Sequence, residues 1–144
     1  MTTTTLRTNA FPSNPLFAAL MSSTDFDTIT GLLRLTHGAE RTALLADTDN
    51  EGDTPLIKAA KRAPWKVANG LLAVGADVNA SNREGRTALH YAVERADDVN
   101  RDWLVGLLIA YKASVSIADN KGTTAYDLLE AAGYKKLDAL TMAA

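Results

Sequence analysis

The chain has 144 residues, 47% of them apolar and 22% charged, an ordinary composition for one globular domain with enough apolar side chains to bury a core. Fifteen basic residues against seventeen acidic ones leave a net charge of −2, so no global field favours nucleic acid or an anionic membrane. The absence of cysteine excludes a disulfide framework, cysteine-ligated zinc, iron–sulfur clusters and thiol nucleophiles.

The opening MTTTTLRTNAFPSNP lacks the apolar run of a signal peptide, and nowhere do about eighteen apolar residues follow one another, as a membrane span requires. A cytoplasmic protein is therefore expected. Residues 1–10 read as a flexible, Thr-rich tail ahead of a single domain over 11–144. NPLFAAL at 14–20 and GLLRLTHGAE at 31–40 predict a first helix pair. In it Asn14 caps, Pro15 takes the first helical position, Phe26 lies near the start of the second helix, and His37 serves carbonyls near that helix's C-terminus.

The next stretch, GDTPLIKAA at 52–60, recurs as GRTALHYAV at 85–93 and GTTAYDLLE at 122–130, with starts 33 and 37 residues apart. Self-similarity at such a period indicates a stacked solenoid. In the first of these copies residues 49–52 predict a turn, Thr54 a helix cap and Pro55 the first helical position. Leu56, Ala59 and Ala60 then share one face. Pro64 opens a second helix through Val67, Leu71 and Leu72, and Gly75 suits its left-handed stop. In the second copy Thr87, Leu89, His90 and the Leu107–Leu108 pair hold equivalent places. Its link between helices is longer, around residues 97–102, which is either surface variation or a grafted contact. Trp65 and Trp103 are expected near the starts of their second helices, packing between neighbours. The last copy keeps Gly122, Thr124 and YDLL at 126–129, and closes with a helix near 135–141.

These residues resemble the ankyrin repeat, whose pattern runs from a Gly-x-Thr-Pro-Leu-His helix start to a Leu-Leu and Gly-Ala-Asp-Val-Asn ending. The match is strongest over 49–80, with GADVNA at 75–80, and degrades to KASVSI at 112–117. The resemblance implies an all-α ankyrin-repeat solenoid of about four stacked helix-turn-helix units with turn or β-hairpin tips, at about 12–48, 49–81, 82–118 and 119–141. It also implies a structural hydrogen bond from His90 to a neighbouring turn. The family's usual role implies a non-catalytic contact with another protein through turn tips and first helices. Carried onto this chain, that surface comprises Asn50, Glu51, Asp53, Lys61 and Arg62, then Arg83, Glu84, Arg86, Tyr91, Glu94 and Arg95, then Lys121 and Thr123. Tyr91, if exposed, would anchor the interface.

Nothing in the sequence assembles catalysis: two His offer no base beside a nucleophile, so no catalytic residue, metal ligand or cofactor is expected. The alternation of Asp47, Asp49, Glu51 and Asp53 resembles a calcium loop only superficially, because no bidentate Glu follows at the needed spacing. Lys58, Lys61, Arg62 and Lys66 form the densest basic cluster, read as a solvated helix end because it lacks the aromatic interleaving of a nucleic-acid binder. The expected partner is thus a protein, with the contact inhibiting or adapting it. A bacterial immunity protein, an antitoxin or a host-targeted effector would use the same surface. A self-associating scaffold is the less favoured alternative, and an enzyme or metal binder built on residues 47–53 and His90 the least.

Overall fold

The computed structural model describes residue 19 and residues 26–96 and 98–133. Its helices are α1 (Phe26–Leu35), α2 (Gly38–Ala46), α3 (Pro55–Arg62), α4 (Trp65–Ala73), α5 (Ala88–Val93), α6 (Asp98–Ala110) and α7 (Ala125–Ala131). No strand occurs among the described residues, only single antiparallel bridges between Ser81 and Thr87 and between Ala118 and Thr124. The fold is an all-α solenoid in which first helices α3, α5 and α7 pack side by side, with second helices α1, α4 and α6 behind them. The expected caps at Asn14 and Pro15, the tail and the closing helix near 135–141 lie outside the described residues.

Each first helix begins as its sequence dictates. Thr54 Oγ1 accepts from the Ile57 amide at 3.3 Å, with Pro55 in the first turn where no amide partner is needed. At the two later starts the cap is reciprocal. Thr124 pairs with Asp127, and Thr87 pairs with His90, whose Nδ1 accepts from the Thr87 amide at 3.0 Å. That acceptor role leaves the proton on Nε2, which donates to the Thr123 carbonyl of the following turn at 3.0 Å. His90, with no exposed surface, therefore joins two successive units, as the sequence implied.

The core is one cluster running the length of the stack. Leu56, Ala59 and Ala60 of α3 meet Leu89 and Ala92 of α5, while Val67, Leu71, Leu104 and Leu108 fill the second layer. Alanines on the first helices let neighbouring backbones approach, which the paired stack needs. Polar stitches complete it. The Asn100 carboxamide accepts from the Trp65 amide at 3.0 Å, Asn79 Oδ1 accepts from the Ser114 amide at 2.7 Å, and Arg95 donates to the Ala60 and Ala63 carbonyls at 3.2 and 2.6 Å.

Three expectations need correction. Residues 38–46 are an additional helix, α2, lying between α1 and the turn at 49–52, so the first unit does not run directly into that turn. His37 precedes α2 and makes no side-chain cap. Arg41 of α2 instead donates to the carbonyls of Leu33 and Thr36 at 2.8 and 2.7 Å, performing the service assigned to His37. Of the extra length at 97–102, residues 98–102 are no loop: they open α6, which has 13 residues against nine in α4. Trp103 consequently lies more than a turn inside α6, where it stacks on Trp65 at 5.1 Å between centroids and remains 58% exposed.

The ends of α4 and α6 share one geometry with different residues. Gly75 stops α4 at φ 108°, while Lys112 takes the corresponding place after α6 at φ 70°. The amides of Ala76 and Ala113 bond back to Leu71 and Leu108 at 3.0 and 2.9 Å, the same closing turn in both. A side chain in the left-handed region costs about 1–2 kcal/mol, and Lys112 bears that cost for KASVSI to close as GADVNA does. Lys112→Gly is expected to raise the unfolding free energy by about 1 kcal/mol in urea denaturation, net of the larger chain entropy of glycine. The converse substitution Gly75→Lys is expected to lower it.

Candidate functional site

The three turn tips repeat one construction. Asp49 Oδ1 accepts from the amides of Glu51 and Asp53 at 2.9 and 3.0 Å, Asn82 Oδ1 from Glu84 and Arg86 at 3.0 and 3.1 Å, and Asp119 Oδ1 from Lys121 and Thr123, both at 2.9 Å. A side-chain acceptor three bonds from Cα is what lets Asp or Asn organise such a turn. Successive tips also touch. The Arg83 amide donates to the Glu51 carbonyl at 3.2 Å, and Asn120 donates from its backbone to Glu84 and from its side chain to Arg83, at 2.9 and 2.8 Å. This approach explains Gly52 and Gly85, whose φ values are 79° and 75°. A Cβ on Gly52 would lie 2.8 Å from the Arg83 amide nitrogen, and one on Gly85 2.8 Å from Asn120 Oδ1.

Beneath the tips, the first helices present a continuous polar network. Asp53 is fully buried and receives Lys61 Nζ at 2.6 Å, Lys58 Nζ at 3.3 Å and Asn82 Nδ2 at 2.8 Å. Lys58 also meets Asp49 at 2.7 Å, and both lysines reach Glu51 at about 3.5 Å. Asn82 Nδ2 donates to the Tyr91 hydroxyl at 2.8 Å, which in turn donates to Glu84 Oε1 at 2.9 Å. Two cations lie over the Tyr91 ring, Lys61 Nζ at 4.5 Å and the Arg86 guanidinium at 4.7 Å from its centroid. Arg86 continues the series to Glu94 at 2.9 Å and Asp119 at 3.4 Å.

This arrangement sorts the residues that the sequence placed on the binding surface. Asn50, Glu51, Arg62, Arg83, Glu84, Glu94 and Lys121 are exposed. Asp53 is corrected from surface residue to buried hub, because two ammonium groups and a carboxamide cover its oxygens. Arg95 is half-buried, and its guanidinium serves the Ala60 and Ala63 carbonyls at the end of α3. Tyr91 is half-buried, its ring in contact with two cations and its hydroxyl bonded to Asn82 and Glu84. Arg86 and Lys61 are half-buried, and Thr123 contributes its carbonyl to His90. The basic cluster expected to be solvated is divided, since Lys58 and Lys61 turn into the carboxylates while Arg62 and Lys66 stay exposed. Sequence reading missed Lys58 and Asn82 as participants. Lys58 standing three residues before Lys61, on the same side of α3, was the available signal, a pair of charges that helical spacing turns in one direction.

Asp49, Glu51 and Asp53 lie close enough together to suggest a cation site, but Lys58 and Lys61 already occupy their oxygens. Burial pushes the Asp53 carboxyl up, and hydrogen bonds from Lys61 and Asn82 with the charges of both lysines more than reverse it, so it ends below the usual carboxylate range. Burial pushes the two ammonium groups down, and Asp49 and Asp53 beside Lys58, with Asp53 beside Lys61, leave both above their ordinary value. Burial raises the Tyr91 hydroxyl, keeping it a donor to Glu84.

Comparison with known proteins agrees with this geometry. The ankyrin repeat family model matches residues 51–83 and 84–120. A Coxiella burnetii protein carrying the ankyrin repeat name is 43% identical over 75 residues, which is 49% of this chain and 20% of that relative. A crystal structure of an ankyrin repeat domain from Acinetobacter baumannii AYE superimposes with a TM-score of 0.71 and 29% identity, over 89% of this chain and 62% of that one. The chain thus matches about a fifth of the first relative's length and less than two-thirds of the second's.

The opposite shifts within the network set a pH window. Asp53, held low, contributes stability above the unfolded carboxyl's value of about 4 and loses it as pH falls through the lower folded value. Lys58 and Lys61, held high, contribute stability below about pH 10 and lose it as pH rises through their folded values. Asp53→Asn is expected to cost about 2 kcal/mol at neutral pH, with wild type and variant converging in acid, in urea denaturation followed across pH. Parallel curves down to pH 2 would contradict the assignment. His90→Ala, which orphans the Thr87 amide and Thr123 carbonyl, is expected to cost about 1–3 kcal/mol in the same assay.

Proposed function

The chain is an ankyrin repeat protein, and on that premise we propose that it is a non-catalytic module holding one protein partner across its groove and turn tips. Ankyrin repeats are general protein–protein interaction modules, and the observation that carries the reading here is the groove itself. Its buried half is a bonded network that links the first helices, while Glu51, Arg83, Glu84, Glu94 and Lys121 stand at its edge with both signs of charge. Mixed exposed charge on a rigid frame suits selective, electrostatically guided docking. The titratable groups of the groove support a non-catalytic role, because His90 and Asp53 are committed to internal bonds on every side.

The finer roles belong to the same proposal: a cytoplasmic inhibitor or adaptor, with the bacterial relatives favouring an immunity, antitoxin or effector setting. Self-association is a second reading, favoured by one observation on the opposite face, where Trp103 and Val99 are 58% and 68% exposed beside Trp65.

The test uses surface charges that the network does not need. Affinity capture from lysate of the source organism compares the wild type with Arg83→Glu/Lys121→Glu, whose melting temperature is expected to change by less than about 2 °C. Loss of a specific partner by the folded variant supports the groove. Equal retention by both contradicts it, and retention only of the chain itself moves the contact to the tryptophan face.

A further inference from the structure

We infer that the outward face of α6 pairs with the same face of a second copy of this chain, helix against antiparallel helix, leaving both grooves free. The stack makes no use of this face. Leu104, Val105 and Leu108 of α6 are buried where α4 buries Val67, Ala68 and Leu71, and Lys112 stops α6 where Gly75 stops α4. The two helices therefore correspond position by position. Trp103 stands where α4 has the exposed Lys66, and Gly106 where it has Asn69. From Trp103 to Tyr111 no residue is charged, a pattern ordinarily found in a helix buried on all sides. Yet Gly106 and Ala110 are exposed, Trp103 is 58% and Tyr111 39% exposed, and Val99, supplied by the added turn of α6, is 68% exposed.

The face is complementary to itself, which is why the occupant is a second copy. Stacking on Trp65, with 18° between the ring planes, holds the Trp103 indole in one place. Gly106 and Ala110 follow on the same side of the helix as a shallow floor, and a Cβ on Gly106 would meet nothing within 4 Å. Antiparallel pairing about a two-fold axis between Gly106 and Leu107 sets each Trp103 opposite Ala110 of the copy, about one turn from the axis. Small residues at the crossing let the helices approach closely. Charge agrees with this pairing. None stands within the face, so no like charges are brought together there. At its ends the exposed Asp102 and Lys112 exchange places, each lying nearer its opposite than its like along the paired helices, while the half-buried Arg101 already bonds Asp102 at 3.3 Å. Area sets the strength: Trp103, Tyr111 and Val99 together expose roughly 300 Å² per chain, against roughly 800 Å² per partner in a standard stable interface. The pair is accordingly weak and reversible. Its consequence rests on the groove reading: two grooves on one pair make a bivalent module, which holds a dimeric or repeated partner more tightly than one chain does.

Light scattering on the full chain from about 10 µM to about 1 mM tests the pairing by its weight-average mass. Two variants accompany the wild type. Trp103→Lys installs the residue type that α4 carries at this position, and Gly106→Lys fills the floor with a better helix former than glycine. The mass is expected to rise at least about 1.5-fold for the wild type and less than about 1.1-fold for either variant, with Gly106→Lys melting no lower than the wild type. A constant mass, or an equal rise in the folded variants, would overturn the inference. So would Trp103-dependent capture of a different protein by a chain that stays monomeric. Should Trp103→Lys fail to fold, Gly106→Lys decides. Arg83→Glu/Lys121→Glu is expected to pair as the wild type does. A rising mass with partner capture indifferent to Arg83 and Lys121 overturns the groove reading and bivalence alone, whereas a constant mass with capture that depends on them overturns the pairing alone.

Discussion

A helix of eight residues followed by one of nine has no interior of its own. Leu56, Ala59 and Ala60 on α3, and Leu71 on α4, are buried only because α5 and α6 lie against them, and those helices depend in turn on the next unit. This dependence on a neighbour governs the rest of the structure. It demands small residues on the facing helices, a common height for every turn and polar links that hold the spacing. The turns supply that spacing through Asp49, Asn82 and Asp119, the middle of the stack through His90, and the far ends of the helices through Arg95 and Asn79.

The groove follows from the same constraint. Lining up first helices places their tip-facing side chains in a row, and those side chains must either be solvated or satisfy one another. Here they satisfy one another across units: Asn82 from one tip bonds Asp53 of the tip before, and Lys61 of α3 covers the ring of Tyr91 on α5. Burying such charges contributes little net stability against an apolar alternative, while removing one member leaves its partners exposed to a low dielectric. The network is better understood as positioning. It fixes the helix faces and leaves a defined set of charges at the rim.

Much of the fold was legible because the ankyrin pattern is made of local signals with local causes. Thr54 with Pro55, Gly75 after Leu72, and Asp49 ahead of Gly52 act within a few residues of themselves, so sequence suffices to place them. What was illegible depends on distant partners. Asp53 reads as one more tip carboxylate until Asn82, 29 positions away, closes over it. Arg95 reads as a groove cation, though it reaches 32 and 35 positions back to α3. The insertion at 97–102 reads as a longer link because it departs from the repeat, yet residues 98–102 are helical, with Asn100 docked on the Trp65 amide and Trp103 stacked on Trp65. Helix α2 was hidden because its sequence departs from the repeat, and the pattern offers no template for an added element.

The proposed function places a protein partner along the tips and first helices, on the face organised by the Asp53 network. Hydrogen exchange of the full chain, free and with its captured partner, tests this directly. The account predicts added protection at residues 49–53, 82–86 and 119–123 and along α3 and α5, with the outer surfaces of α4 and α6 unchanged. Protection confined to the region of Trp65, Val99 and Trp103 would contradict it and place the interface on the opposite side of the stack.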